Sequence, residues 1–205
     1  MATGRSAIVL AGGRSSRMGA DKAALRLGGV TMVERMVAEL ARGFGEVVIV
    51  TGARAVVPAS VLAARSVRLL HDPVPFEGPV KALRLGLAAI RAEVGFACAC
   101  DLPFVNVRLA AELCAMAARH DAAIAKVAGR LQVLHAAYRK SCLPAIDAMI
   151  GREERRLQDL VPVLDARIVG EDEIRPYDPE LLSFFNLNTP EDYAQARKLA
   201  GKLAP

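Results

Sequence analysis

Short apolar runs alternate along the chain with longer stretches in which apolar residues recur every three or four positions. Ala7 to Leu10, Glu46 to Thr51 and Phe96 to Cys100 are compact apolar runs that end at glycines or turn residues, as strands buried on both faces do. Val67 to Leu70 is a weaker run, and Ala122 to Val127 and Ala166 to Gly170 complete the predicted strands. Val33, Met36, Val37 and Leu40 follow helical spacing, as do Leu83, Leu87 and Ile90, and then Leu109, Leu113 and Met116. Gly78-Pro79 is a start signal for the second of these helices, and a last helix is predicted from Pro190 onward. The C-terminal third is otherwise less regular. Strands alternating with helices predict an α/β fold: a three-layer αβα, Rossmann-like arrangement with one mostly parallel sheet and right-handed crossovers. No repeat or linker interrupts the chain, so residues 1–205 are expected to form a single domain. Ligands in such folds bind beyond the carboxyl ends of the strands, near the point where the strand order reverses.

Composition sharpens this picture. Of the 205 residues 53% are hydrophobic, which excludes a disordered chain, but only 4% are aromatic. Much of the apolar fraction is alanine, so close helix–sheet contacts are expected. The formal charge of +5 suits an anionic substrate such as a phosphate ester. There is no Lys/Arg run and no basic patch with interleaved aromatics, so nucleic-acid binding is not expected. Cys98, Cys100, Cys114 and Cys142 lack the paired spacing of a zinc site. The first apolar run is too short for a secretion signal, and none approaches the length of a membrane span. A cytoplasmic protein with reduced thiols is the expectation.

The candidate chemistry begins after the first strand, at Leu10-Ala11-Gly12-Gly13-Arg14-Ser15-Ser16-Arg17-Met18-Gly19-Ala20-Asp21-Lys22. Glycines at a strand end allow a sharp turn and the close approach of a ligand. Successive backbone N–H groups in such a loop can cradle phosphate oxygens, and Arg17 and Lys22 add positive charge. Lys22 does not directly follow Gly19 and is followed by Ala23, so this is not the GxxxxGK[ST] loop, and it is not GxGxxG either. A polar turn is the plain alternative. The second candidate is Asp101, where the strand through Cys98 and Cys100 runs into Leu102-Pro103. One carboxylate with triphosphate oxygens is enough to hold Mg²⁺, although capping the proline turn would also account for it. The third is Asp72 in His71-Asp72-Pro73: a carboxylate can accept two hydrogen bonds from a base edge, or simply mark a loop corner. The fourth is Asn186-Leu187-Asn188-Thr189-Pro190. Thr189 and Pro190 are explained as a helix start. Asn186 and Asn188 project to one side of an extended segment and are not. Arg152, Arg155 and Arg156 form a basic cluster whose simplest explanation is a solvated face.

LAGGRSSRMGADKA, with Cys100-Asp101-Leu102-Pro103 and the Asn186 to Pro190 segment, resembles the molybdenum cofactor guanylyltransferases within the wider nucleoside-triphosphate transferase fold. The resemblance covers nearly the whole chain. It implies that Leu10, Ala11, Gly12, Gly13, Thr51 and Asp72 surround the nucleotide, that Arg17 and Lys22 grip the triphosphate, and that Asp101 holds Mg²⁺. It also implies that Asn186, Asn188 and Arg156 face the acceptor, and that GTP and molybdopterin are the substrates. Transient contact with other cofactor-biosynthesis proteins and acceptor apoenzymes is implied as well. Relatives that transfer cytidylyl groups tend to carry Ala where this chain has Gly12, and the missing methyl leaves room for a purine. Two positions depart from the family: Ala82 replaces a common glycine, and Thr51 stands where asparagine is frequent. Both bear on the choice of base or acceptor. A cytidylyl or sugar-phosphate transferase, or a nucleotide-binding module without transfer activity, are the alternatives.

Overall fold

The computed structural model describes residues 4–11, 25–52, 57–72 and 78–203. β1 (Ser6–Leu10) is buried throughout. A minimal hairpin follows, β2 (Arg26–Leu27) and β3 (Val30–Thr31), leading into α1 (Met32–Leu40). Thr31 and Glu34 cap that helix reciprocally: the Thr31 hydroxyl accepts from Glu34 N, and the Glu34 carboxylate accepts from Thr31 N. These bonds, with one from Ser60, hold the Glu34 pKa down at about 2. β4 (Glu46–Gly52), α2 (Ala59–Leu62), β5 (Val67–Asp72), α3 (Pro79–Ala89), β6 (Val94–Ala99) and α4 (Val107–Ala117) come next. The chain then forms β7 (Ala122–Val127), β8 (Arg130–Arg139), α5 (Leu143–Gly151), β9 (Ala166–Val169), α6 (Glu171–Ile174) and α7 (Pro190–Leu203).

Seven strands form one sheet in the order β5-β4-β1-β6-β8-β7-β9, and β8 alone opposes the common direction. Side chains alternate between two cores, as a sheet covered on both faces requires. Ala7, Val9, Val47, Ile49, Phe96 and Cys98 face α1 and α4. Ile8, Leu10, Val48, Val50 and Ala97 face α3 and α5. The three layers and the mostly parallel sheet are those expected from the pattern. The alanine content serves the close packing foreseen: Ala110 and Ala117 of α4 lie in the same core as Ala123 and Ala137. Gly86 does the same on the other face, where a Cβ would lie 2.4 Å from Ile8 Cγ2.

β8 and α5 were not foreseen. Between the pairs Ile124↔Ala136 and Lys126↔Leu131, the single residue Ala125 faces four residues of β8, Gln132 to His135. This bulge destroys the period-two alternation by which a strand is recognised. The buried Tyr138 hydroxyl closes it by donating to Val133 O at 2.8 Å. The turn before β8, Ala128-Gly129, has positive φ at both residues (49° and 74°), the two-residue hairpin geometry that a glycine in second place hints at.

Candidate active site

The chain steps outward from β1 to β4 and β5, then crosses back to β6 on the other side of β1. The order therefore reverses between β1 and β6, and a ligand crevice is expected at the carboxyl ends there. The strand ends are level. Leu10 lies opposite both Val50 and Ala99, and Gly52 lies opposite Asp72. The ladder runs one step further, with Ala11 N donating to Val50 O (2.8 Å) and Cys100 N to Leu10 O (3.1 Å). Leu10 and Ala11 are buried, so they fix where the chain leaves the sheet. Thr51 is also buried, its hydroxyl 3.3 Å from Nδ1 of the exposed His71. Asp72 is half-buried at the end of β5. Gly12, Gly13, Arg17 and Lys22 lie outside the described residues.

Asp101 lies one residue beyond β6, after Cys100, half-buried and with Oδ1 shielded from solvent. Its backbone carbonyl accepts from Leu187 N at 2.9 Å. That bond brings two distant sequence signals together, because it sets Asn186 and Asn188 on either side of a residue bound to Asp101. The Leu187 side chain is fully buried in a small cluster with Leu27, Met32 and Ala196. The segment is thereby wedged between Asp101 and the chain that follows the glycine-rich loop. Asn186 Nδ2 donates to Phe184 O at 3.1 Å. Thr189 caps α7 as expected, its hydroxyl accepting from Asp192 N while Asp192 accepts from Thr189 N.

The arginine cluster divides. Arg152 is engaged by Glu154 through two bonds of 2.8 and 3.0 Å. Arg155 and Arg156 are exposed, and no ion pair among the described residues involves them. Their backbone passes the start of α3: a Cβ on Gly78 would stand 3.2 Å from Arg155 O, and Gly78 has φ 93°. A side chain there would be strained and crowded at once. The chain just before Arg156 therefore lies against Gly78, at the start of α3.

The donor set suits a hard cation. Asp101 offers carboxylate oxygen, which Mg²⁺ prefers. Burial first, then the nearby Cys100 and Asp101, push the Cys98 thiol far up, and it packs against Met36 in the core. Sequence reasoning overlooked two residues close to this edge, Asn106 and Ser183. Asn106 precedes a helical stripe, which is a cap signal. Ser183 lies in irregular chain and gives no local signal.

A mostly parallel sheet whose strand order reverses between β1 and β6, with a carboxylate just beyond a central strand, is the arrangement of an α/β protein of the nucleotidyltransferase class. Residues 7–167 match the family model described as the MobA-like NTP transferase domain, and the chain belongs to that family. A probable molybdenum cofactor guanylyltransferase of Methanosarcina mazei is 39% identical over 198 residues, covering 92% of this chain and 88% of that one. One from Pelotomaculum thermopropionicum is 32% identical, covering 94% and 92%. Molybdopterin-guanine dinucleotide biosynthesis protein A of Archaeoglobus fulgidus superposes with a TM-score of 0.80 at 26% identity, over 97% of this chain and 100% of that one. A divalent metal is typical of nucleotidyltransferases. No helix among the described residues is long and apolar enough to cross a membrane.

Proposed function

We propose that the chain transfers GMP from GTP to the terminal phosphate of molybdopterin, giving the guanine dinucleotide form of the cofactor and pyrophosphate. The observation that carries this reading is the bond from Leu187 N to Asp101 O, which joins the nucleotide edge of the sheet to the Asn186–Asn188 segment. The guanylyltransferase relatives cited above span some nine-tenths of the chain and support the same reading.

An oxygen of the molybdopterin phosphate attacks the α-phosphorus of GTP. A new P–O bond forms there as the bond to the pyrophosphate oxygen breaks. The nucleophile belongs to the acceptor, so no serine or cysteine is needed, and the buried cysteines are consistent with that. Arg17, Lys22 and the N–H groups at Gly12 and Gly13 grip the triphosphate and stabilise the departing pyrophosphate. Leu10, Ala11, Thr51 and Asp72 shape the nucleotide site. Asp101 holds Mg²⁺, which when bound supplies neutralising charge to the phosphate oxygens. Asn186, Asn188 and Arg156 receive the acceptor. The enzyme works in the cytoplasm and hands its product on through transient contacts with biosynthetic proteins and apoenzymes.

Gly12 favours a purine, and base choice is the direct test. Pyrophosphate release is measured with GTP, CTP, ATP and UTP, each with Mg²⁺ and molybdopterin. Release with GTP alone is expected. Release mainly with CTP would keep the mechanism and overturn the base. Silence with all four would overturn molybdopterin as the acceptor and turn the search to sugar phosphates, and then to a binding module.

A further inference from the structure

The segment that carries Asn186 and Asn188 reaches the site as a strap of irregular chain, and one residue, Asn106, sets its course. The strap begins at Tyr177. Asp178, almost fully buried, accepts from Leu182 N (3.0 Å) and Ser183 N (2.8 Å). Between them Leu181 has φ 56°, a left-handed conformation costly for a branched side chain. Such strain persists only where surrounding bonds impose it. The Asp178 carboxylate supplies them across the turn, and Asn106 anchors both ends of that turn from the loop that starts at Asp101. Its Nδ2 donates to Tyr177 O (2.8 Å), and its backbone N donates to the fully buried Ser183 Oγ (3.0 Å). Its Oδ1 caps α4 through Arg108 N and Leu109 N (2.9 and 3.1 Å). Beyond Ser183, Phe184 rests on the buried ring of His135, 4.4 Å between centroids, and its carbonyl receives Asn186 Nδ2. The loop from Asp101 to Asn106 and the strap are thus fastened at two points: Leu187 to Asp101 at one end, and Asn106 to Tyr177 and Ser183 at the other.

We infer that Asn106 is a positioning residue for the acceptor: its two bonds to the strap hold Asn186 and Asn188 in register with Asp101. This rests on the proposed function, with those two amides at the acceptor. Small misplacements of reactants cost rate steeply, so a clamp far from the reacting atoms can matter. The strap meets the proposed metal holder only through the Asp101 backbone carbonyl and carries the two acceptor amides itself, so loosening it acts mainly on the acceptor.

Asn106→Asp isolates the effect. Asp keeps the α4 cap, loses the donor to Tyr177 O and sets a carboxylate against that carbonyl. The expected result is a rise of about tenfold in the KM for molybdopterin, with GTP affinity within about twofold of wild type and little change in kcat at saturating acceptor. Ser183→Ala, which removes the acceptor for Asn106 N, gives the same split. Tyr138→Phe deletes a buried bond in β8 away from the strap and serves as the stability control: it lowers Tm and moves neither constant. An unchanged molybdopterin KM in folded Asn106→Asp and Ser183→Ala would overturn the inference, as would equal losses for both substrates. If the wild-type chain transfers nothing, the proposed function fails. Calorimetric binding of molybdopterin to wild type and variants then still decides the inference.

Discussion

The two ends of the same sheet treat a carboxylate in opposite ways. At the amino end, Glu46 is buried and accepts from Ser6 Oγ (2.7 Å), Arg91 N (2.8 Å) and Arg68 (2.9 Å). Burial opposes its ionisation, but these hydrogen bonds outweigh burial and lower its pKa below the ordinary 4.5. At the carboxyl end, the bond from Leu187 uses the backbone of Asp101 and not its carboxylate. The amino-end group joins β1, β4, β5 and the loop that leads into β6. The carboxyl-end residue is tied to the distant Leu187 through its main chain, and its carboxylate is the one proposed to hold the metal. With Asp101 as the proposed metal holder, one sheet carries a structural carboxylate at its amino end and a functional one at its carboxyl end.

Removing each carboxylate should separate these roles. Asp101→Ala is expected to lower transfer by about a thousandfold or more while the protein stays folded, because a metal holder worth several kcal/mol is lost. Initial rates together with a melting curve check both halves. Glu46→Ala should do the reverse, costing about 3 kcal/mol in urea unfolding with turnover per folded molecule unchanged. A large rate loss in Glu46→Ala, or unfolding of Asp101→Ala, would erase the contrast.

A pH series sharpens it. His135 is fully buried between Phe96 and Phe184, and burial holds its pKa down at about 4 from 6.5. The unfolded chain takes up that proton first, so stability falls as pH drops from 6.5 towards 4. Glu46, with its lowered pKa, adds its loss only as pH falls below 4.5. Stability should therefore decline by about 2 kcal/mol between pH 7 and pH 5, and His135→Leu should flatten that slope. Urea midpoints at the two pH values measure it. The smallest effect lies at the β7–β8 turn. Ala128 is left-handed and held by Glu171, which accepts from its N–H at 2.9 Å. Ala128→Gly relieves the strain and should stabilise by about 0.5–1 kcal/mol without altering activity.

What could be read from the sequence follows from range. The strand Ala7 to Leu10, the stripe of Val33, Met36, Val37 and Leu40, and the cap at Thr189 are local patterns, and each appeared where expected. The place of Asp101 beyond the end of a buried strand was legible because the apolar run of β6 gives way to Asp101-Leu102-Pro103. β8 was hidden by its bulge, where four residues face one. The bond from Asn106 to Ser183 spans 77 positions between two irregular segments, and no periodicity announces it. The two asparagines were visible as polar residues on one side of an extended segment, but their tie to Asp101 needed the fold.

The central claim is that GMP moves intact from GTP to molybdopterin at the carboxyl edge of the sheet. Incubation with Mg²⁺, molybdopterin and GTP labelled at either the α- or the γ-phosphate tests it most directly. The account predicts that α-label enters the guanine dinucleotide product while γ-label leaves as pyrophosphate, and that Asp101→Ala abolishes both. Failure of α-label to enter the product, or its undiminished entry with Asp101→Ala, would contradict it.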